Sequence, residues 1–280
     1  MLQANSISFD YGTTPILRDV TIAAAQGDRV GILGPNGTGK TTLLHILAGL
    51  LSPNRGTVRL GGVDLRDLTR TTIARQLALV PQETKLTFDY SVLEVALMGR
   101  YPHLSTFAIE SLDDIDMVIE VLSSTGTAHL ADRPFSTLSG GEKQRVVISA
   151  ALAQLIPASD HKVLAESAAP KPVLLLDEPT ASLDLGSQLA MSSLLKTLHL
   201  RSKVTMVIST HDLNFAIGTC EHLILLHDGV VVAAGPTDKV LTTKNVRTLY
   251  DVDVDITRHA SSGRLMVLPI DSANIGHVAP

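Results

Sequence analysis

The sequence predicts an α/β fold with a mainly parallel β-sheet covered by helices on both faces. Three observations point to it. The apolar runs Arg29-Val30-Gly31-Ile32-Leu33, Val173-Leu174-Leu175-Leu176 and Val204 to Ser209 have the length and continuity of strands buried on both sides. Helical patterns alternate with these runs, the order that crossover connections between parallel strands require. From about residue 85 to 135 the strand signals give way to patterns such as Val92 to Met98 and Asp116 to Leu122, which predict a helical subdomain inserted in the α/β core.

Taken in order, Ile7 to Ala24 alternates like exposed-edge strands around the turn Asp10-Tyr11-Gly12-Thr13. Strand, glycine-rich loop and helix then fill residues 28 to 49. Gly56 to Leu60 reads as a strand closed by Gly61-Gly62. After the helical insertion come a helix from Gly141, the strand at Val173, a helix from Leu185 and the strand at Val204. Residues 157 to 172 read as a mobile surface loop, and the tail from Leu249 carries two strand-like pieces, Val252 to Ile256 and Arg264 to Leu268. No internal repeat is visible. The organisation expected is a main domain over residues 1–250, with the helical subdomain at about 85–155, and a short C-terminal extension over 251–280.

Composition narrows the function classes. A chain of 280 residues can bury a sizeable core. Mean hydropathy is +0.24, yet no run approaches 18 uninterrupted apolar residues, so no membrane span is expected. The segment Met1 to Ser6 lacks a basic region followed by an apolar one, which argues against a signal peptide. Cys220 is the only cysteine, so no intrachain disulfide can form and a reducing compartment fits. A net charge of −5 gives no footprint for nucleic acid or anionic lipid.

The chemistry is concentrated in three places. The run Gly34-Pro35-Asn36-Gly37-Thr38-Gly39-Lys40-Thr41 fits G-x-x-x-x-G-K-[ST], follows a predicted strand and precedes the amphipathic pattern Thr42 to Ala48. Its glycines let backbone N–H groups turn around phosphate oxygens where side chains would collide. A helix starting near Lys40 aims its positive end at the same point. Lys40 is then placed for the β- and γ-phosphates and the Thr41 hydroxyl for Mg2+. The second place is Asp177-Glu178 at the tip of an apolar strand, where one carboxylate can hold Mg2+ through water and the next can polarise an attacking water. The third is Leu138-Ser139-Gly140-Gly141-Glu142. Ser139 reads as a helix N-cap, but two glycines behind it cost helix stability and are better explained as a second phosphate-binding helix terminus.

These residues resemble the ATP-binding subunits of ABC transporters, over nearly the whole chain. Gly34 to Thr41 resembles the family's Walker A loop, Val173 to Asp177 its Walker B strand and Leu138 to Glu142 its signature motif. Gln82 in Val80-Pro81-Gln82 resembles the Q-loop glutamine, Ser182-Leu183-Asp184 the D-loop, and His211 in Ser209-Thr210-His211-Asp212 the switch histidine. Tyr11 stands where the family stacks an aromatic ring on adenine. The resemblance implies a P-loop NTPase core with a mainly parallel sheet, an antiparallel β subdomain and an inserted α-helical subdomain. It implies ATP and Mg2+, bound by Tyr11, Gly34, Pro35, Asn36, Gly37, Thr38, Gly39, Lys40, Thr41 and Thr42, with Thr41, Gln82 and Asp177 toward the metal. Lys40, Gln82, Glu178 and His211 form the implied catalytic set, with Glu178 as general base or water-positioning carboxylate. Ser139 and Gly141, with Gly140 between them, would face the γ-phosphate of an opposite subunit, so two copies would pair head-to-tail.

The resemblance further implies an integral membrane permease as partner, a substrate-binding protein acting through it, no nucleic acid, and a peripheral position on the cytoplasmic face of the inner membrane. Leu86, Phe88, Tyr90 and Tyr101 are expected either to line the permease-docking groove or to form subdomain core. The segment Met98-Gly99-Arg100-Tyr101-Pro102-His103 resembles importers of metal chelates (ferric siderophores, haem and cobalamin), as do Asp212-Leu213-Asn214 and the tail Leu249 to Val254 with Ser262 to Pro269. Two departures stand out: a long Ile156 to Lys171 loop, and Ser149-Ala150-Ala151-Leu152 where relatives usually carry an arginine. A non-transport ABC ATPase, or a transporter for another substrate, is the alternative reading.

Overall fold

The computed structural model describes residues 1–105, 108–157, 172–260 and 263–270. β1 (Leu2–Tyr11) and β2 (Thr14–Ala24) form an antiparallel hairpin about the Gly12 turn, where φ is +60°. β4 (Arg55–Leu60) pairs with the other edge of β1, and the two-residue β5 (Val63–Asp64) completes a sheet in the order β2-β1-β4-β5. The alternation begins at Leu2, five residues before the Ile7 start read from the sequence.

The second sheet holds six strands: β3 (Arg29–Leu33), β6 (Leu77–Val80), β7 (Val173–Asp177), β8 (Thr205–Thr210), β9 (His222–His227) and β10 (Val230–Pro236). Their order is β10-β9-β3-β8-β7-β6, all parallel except β10, which runs back along β9. All five residues of β7 and all six of β8 are buried, as continuous apolar strands between two helical layers should be. The period of two divides them between cores. Val173, Leu175 and Val207 join the cluster that contains β1 and α1 (Lys40–Leu47), sandwiched between the two sheets. Leu174, Leu176, Met206 and Ile208 join the opposite cluster, formed with α5 (Gly140–Leu155), α6 (Leu185–Ser202) and α7 (Leu213–Thr219). The buried thiol of Cys220 lies in this second core, and burial raises its pKa to about 12, so it is an inert apolar filler.

α2 (Arg70–Gln76) precedes β6 and lies ahead of the helical insertion, in which α3 (Val92–Leu97) and α4 (Leu112–Ser124) come before α5. Both α3 and α4 begin in capping boxes, Ser91/Glu94 and Ser111/Asp114, which satisfy the free N–H groups of their first turns. A separate apolar cluster joins Val92, Val95 and Ala96 to Val118, Leu122, Phe135 and Leu138. Helix α5 belongs to both bodies: Val146 and Ala153 face this cluster, and Ile148, Leu152 and Leu155 face the sheet.

A fully buried arginine ties the insertion to the end of α5. Arg100 lies in the 3-10 turn Met98–His103. Its Nε donates to Asp114 Oδ1 at 2.8 Å, and its Nη1 donates to the carbonyls of Ala153 and Ile156, both at 2.7 Å. The turn can approach α5 this closely only because residue 99 is glycine: a Cβ there would lie 2.0 Å from the Ala150 carbonyl oxygen.

The chain ends in α8 (Thr237–Val240), α9 (Thr243–Tyr250) and a hairpin of β11 (Val254–Arg258) with β12 (Leu265–Pro269). Leu249 and Tyr250 are helical, and α9 stops at Asp251, whose φ is +53°. That cap displaces the first tail strand two residues beyond the Val252 to Ile256 reading. Val254 and Val267 are buried in the main core, so the extension packs on the domain. Of the 157–172 loop read from the sequence, residues 158–171 lie outside the described residues.

Burial pushes the Asp114 carboxyl up, but Arg100 and the hydroxyl and N–H of Ser111 outweigh it and hold its pKa below the ordinary 3.8. A depressed folded-state pKa contributes stability above the unfolded value that is lost as pH falls through the folded one. Asp114→Asn should cost roughly 3 kcal/mol in urea unfolding at pH 7, the low end for breaking a buried ion pair. The deficit against wild type should narrow as pH is lowered through the range below 3.8.

Candidate functional site

The carboxyl ends of four adjacent parallel strands supply the site, the place where open α/β sheets bind ligands. Leu33 pairs with Thr210 and Asp177 with Ser209, so the residues that follow β3, β8 and β7 emerge side by side. β6 pairs with β7 up to Val80 and Leu176, and Gln82 follows it into the solvent.

The glycine-rich loop leaves β3 at Gly34, which is buried beneath the end of β9: a Cβ on Gly34 would lie 2.2 Å from the Leu226 carbonyl oxygen. Gly37 and Gly39 take φ of +83° and +96°, conformations that side-chain-bearing residues resist. Ile16 and Leu17 of β2 press on Gly39, where a Cβ would meet them at 3.2 and 2.9 Å. That contact brings the end of the β1–β2 hairpin, with Tyr11 half exposed and edge-on to Phe9, beside the loop. Thr38 donates its hydroxyl to the Pro35 carbonyl and holds the loop closed, with Asn36 exposed.

Helix α1 starts without a side-chain cap, and its first turn has no carboxylate. The N–H groups of Lys40, Thr41 and Thr42 have no hydrogen-bond acceptor among the described residues, so they remain available to an anion. The Thr41 side chain is exposed and Thr42 is buried. This combination of a cradle that excludes a Cβ, uncapped N–H groups and a convergent lysine fits a polyphosphate.

Lys40 is only 4% exposed. Its Nζ donates to the carbonyls of Gly34 and Pro35, both at 2.9 Å, and lies 3.2 Å from Glu178 Oε1. The other oxygen, Glu178 Oε2, is 3.0 Å from His211 Nδ1. Glu178 therefore bridges the loop lysine and the histidine after β8. It does so from an unusual backbone: its φ is +43°, held by N–H contacts to the Ser209 carbonyl at 3.2 Å and to Ser209 Oγ at 3.0 Å. Ser209 Oγ in turn donates to Asp177 Oδ1 at 2.5 Å. One serine hydroxyl thus orients both acidic residues. No sequence reading gave Ser209 a role, although two hydroxyl residues, Ser209 and Thr210, directly after the apolar run Met206-Val207-Ile208 were a visible signal.

Thr41, Asp177 and the exposed Gln82 offer hard oxygen donors, the chemistry that Mg2+ prefers. Among the described residues no cluster of three or more His, Cys, Asp or Glu could hold a metal unaided.

Ser139, Gly140 and Gly141 stand apart from this group. Among the described residues no hydrogen bond or ion pair joins them to the loop at 34–42. Ser139 caps α5 in a capping box: its backbone N–H donates to Glu142 Oε2 at 2.8 Å, and its Oγ accepts from the Glu142 N–H at 3.4 Å. The helix begins at Gly140, one residue before the start read from the sequence. The Ser139 N–H, then the Ser139 hydroxyl, hold the Glu142 carboxyl below its usual range. A Cβ at Gly141 would lie 3.3 Å from Ser187 Oγ, whereas one at Gly140 would find only ordinary contact with Leu183 at 3.6 Å. Packing within this chain does not require glycine at 140. Ser182 (φ +61°) and Asp184, the N-cap of α6, complete this neighbouring loop.

Residues 17–157 match the family described as ABC transporter. The chain is 39% identical over 270 residues to the Hemin import ATP-binding protein HmuV of Bordetella pertussis, covering 95% of this chain and 98% of that protein. It is 36% identical over 269 residues to the Cobalamin import ATP-binding protein BtuD of Halobacterium salinarum, covering 96% of this chain but only 63% of that longer protein. Among solved structures it superimposes on an inward-facing structure described as a metal-chelate type ABC transporter, with a TM-score of 0.81, 28% identity, and coverage of 97% and 98% of the two chains.

Ser209→Ala removes a hydrogen bond to a charged group and leaves the Glu178 N–H with only its backbone partner. It should lower unfolding stability by about 1–3 kcal/mol, measured by denaturant titration at neutral pH; an unchanged midpoint would show that the hydroxyl bridge contributes nothing.

Proposed function

The chain belongs to the ABC transporter family, and from that membership we propose that it is the ATP-hydrolysing subunit of an importer for a metal chelate: haem, a ferric siderophore or cobalamin. The observation that carries the reading is the bridge of Glu178 between Lys40 and His211 at the mouth of the glycine loop. The hemin and cobalamin import named for the relatives supports the substrate class, as does the Met98–His103 segment.

In this reading ATP lays its phosphates in Gly34 to Thr42 and its adenine against Tyr11. Lys40 exchanges Glu178 for the β- and γ-phosphates, and that exchange leaves one Glu178 oxygen free to accept a proton from the attacking water. His211 holds the far side of the carboxylate and reaches the γ-phosphate from its half-exposed position. Mg2+, held by Thr41, Asp177 and Gln82, supplies charge neutralisation at the phosphates.

Ser139, Gly140 and Gly141 act on a second copy. The absence of any packing demand for glycine at 140 supports a close approach from outside the chain, and the head-to-tail pair places each α5 N-terminus on the other copy's γ-phosphate. ATP then stabilises the closed pair, and hydrolysis removes that preference. The motion passes to a membrane permease, fed by a substrate-binding protein, with this subunit peripheral on the cytoplasmic face. Phe88 and Tyr101, 70% and 60% exposed, present apolar surface to that permease, whereas Leu86 and Tyr90 pack against the helical core.

Glu178→Gln should slow ATP hydrolysis by about 10²–10⁴ and keep ATP binding, and its gel-filtration profile should move from monomer to dimer with ATP. A profile that stays monomeric removes the head-to-tail site. The double variant Phe88→Ser, Tyr101→Ser should keep basal ATPase and lose coupled uptake in membranes containing the permease; full uptake excludes these two side chains from the docking surface. Failure of any permease to co-purify from membranes would favour a non-transport ATPase.

A further inference from the structure

We propose that Tyr250, at the end of α9, is a positioning residue for His211, an inference that rests on the roles given above to His211 and Glu178. His211 is the single residue between the last residue of β8, Thr210, and the N-cap of α7, Asp212. It has neither the strand ladder nor a helical hydrogen bond to fix it, and its side chain is half exposed. Among the described residues its two anchors are the imidazole contact to Glu178 and a hydrogen bond from the Tyr250 hydroxyl to the His211 carbonyl at 3.0 Å.

The donor is built to stay put. Val246 and Leu249 bury α9 in the main core, Asp251 ends the helix immediately after Tyr250, and the tyrosine ring itself packs on that core. Burial, reinforced by the carboxylates of Asp212 and Glu178, raises the pKa of the phenol, so its proton remains available to the carbonyl. The following hairpin adds a second grip on the same turn, the Val267 N–H donating to Asn214 Oδ1 at 3.4 Å. The C-terminal segment therefore holds residues 211 and 214 from outside the sheet. It touches no reacting atom; it acts through the backbone of the histidine.

Tyr250→Phe keeps the ring and removes only the hydroxyl. With the full-length chain, ATP hydrolysis and the NMR signals of 13Cε1-labelled histidines should be compared with wild type. kcat should fall about three- to tenfold, the loss expected from one hydrogen bond, with KM for ATP unchanged. The His211 signal should move while those of the other nine histidines hold still, a pattern that general destabilisation would not produce. Full kcat in the variant, or an unmoved His211 signal, overturns the proposal. The wild-type rate separates the two layers: no hydrolysis by the wild type removes the catalytic reading itself, whereas hydrolysis untouched by the variant removes only the role of Tyr250.

Discussion

A buried carboxylate is costly unless its oxygens find cations or strong donors, and Glu178 meets that demand with both of its oxygens. One faces the Lys40 ammonium and the other the His211 imidazole, at 3.2 and 3.0 Å. Each contact comes from a different strand–loop junction, so the pairing requires β3, β7 and β8 to lie adjacent and to end level. It also requires a left-handed backbone at a residue that is not glycine, a strain of order 1–3 kcal/mol, accepted because the Ser209 hydroxyl and carbonyl both receive the Glu178 N–H. The same hydroxyl reaches Asp177. Registry, strain and charge compensation are one constraint met at one point.

The rest of the architecture serves that alignment. Strands buried on both faces cannot slip by one residue without exchanging their two sets of apolar side chains between cores. β7 and β8 are such strands: Leu174 and Leu176 commit to one layer, and Val173 and Leu175 to the other. The hydrophobic pattern thus locks the register that brings Asp177 level with Ser209. The Gly34 contact under the end of β9 fixes the third junction in the same row.

Much of this was legible in residues 34–41 and 173–178, because a phosphate loop and an acidic strand tip carry local requirements that only a few residue types satisfy. The helix at Ser139 was legible for the same reason, although its capping box showed that the serine serves its own helix as well. The β9–β10 hairpin went unread despite a clear signal. Asp228-Gly229, with φ of +45° and +74°, makes the two-residue turn between His227 and Val230, a pairing favoured in tight hairpins. The two tail strands were read, but the first began two residues early because nothing local marks the α9 cap at Asp251, whose φ is +53°. The partners of Ser209 and Tyr250 lie 32 and 39 positions away in the chain. Contacts of that span follow from the tertiary fold and leave no periodic trace.

Helix α5 is fixed unevenly along its length. Its C-terminal end is clamped by the Arg100 fork on the Ala153 and Ile156 carbonyls and by Gln154, whose amide reaches the Ala74 and Leu77 carbonyls. At its N-terminal end, among the described residues, no hydrogen bond ties Ser139 to Gly141 to anything outside their own helix. A rod of sixteen residues is about 24 Å long, so a tilt of about 5° around the clamped end carries the free end through about 2 Å. That sweep is close to the difference between a hydrogen bond and a lost contact. Small rotations of the helical insertion are thereby geared up into making or breaking whatever the free tip touches.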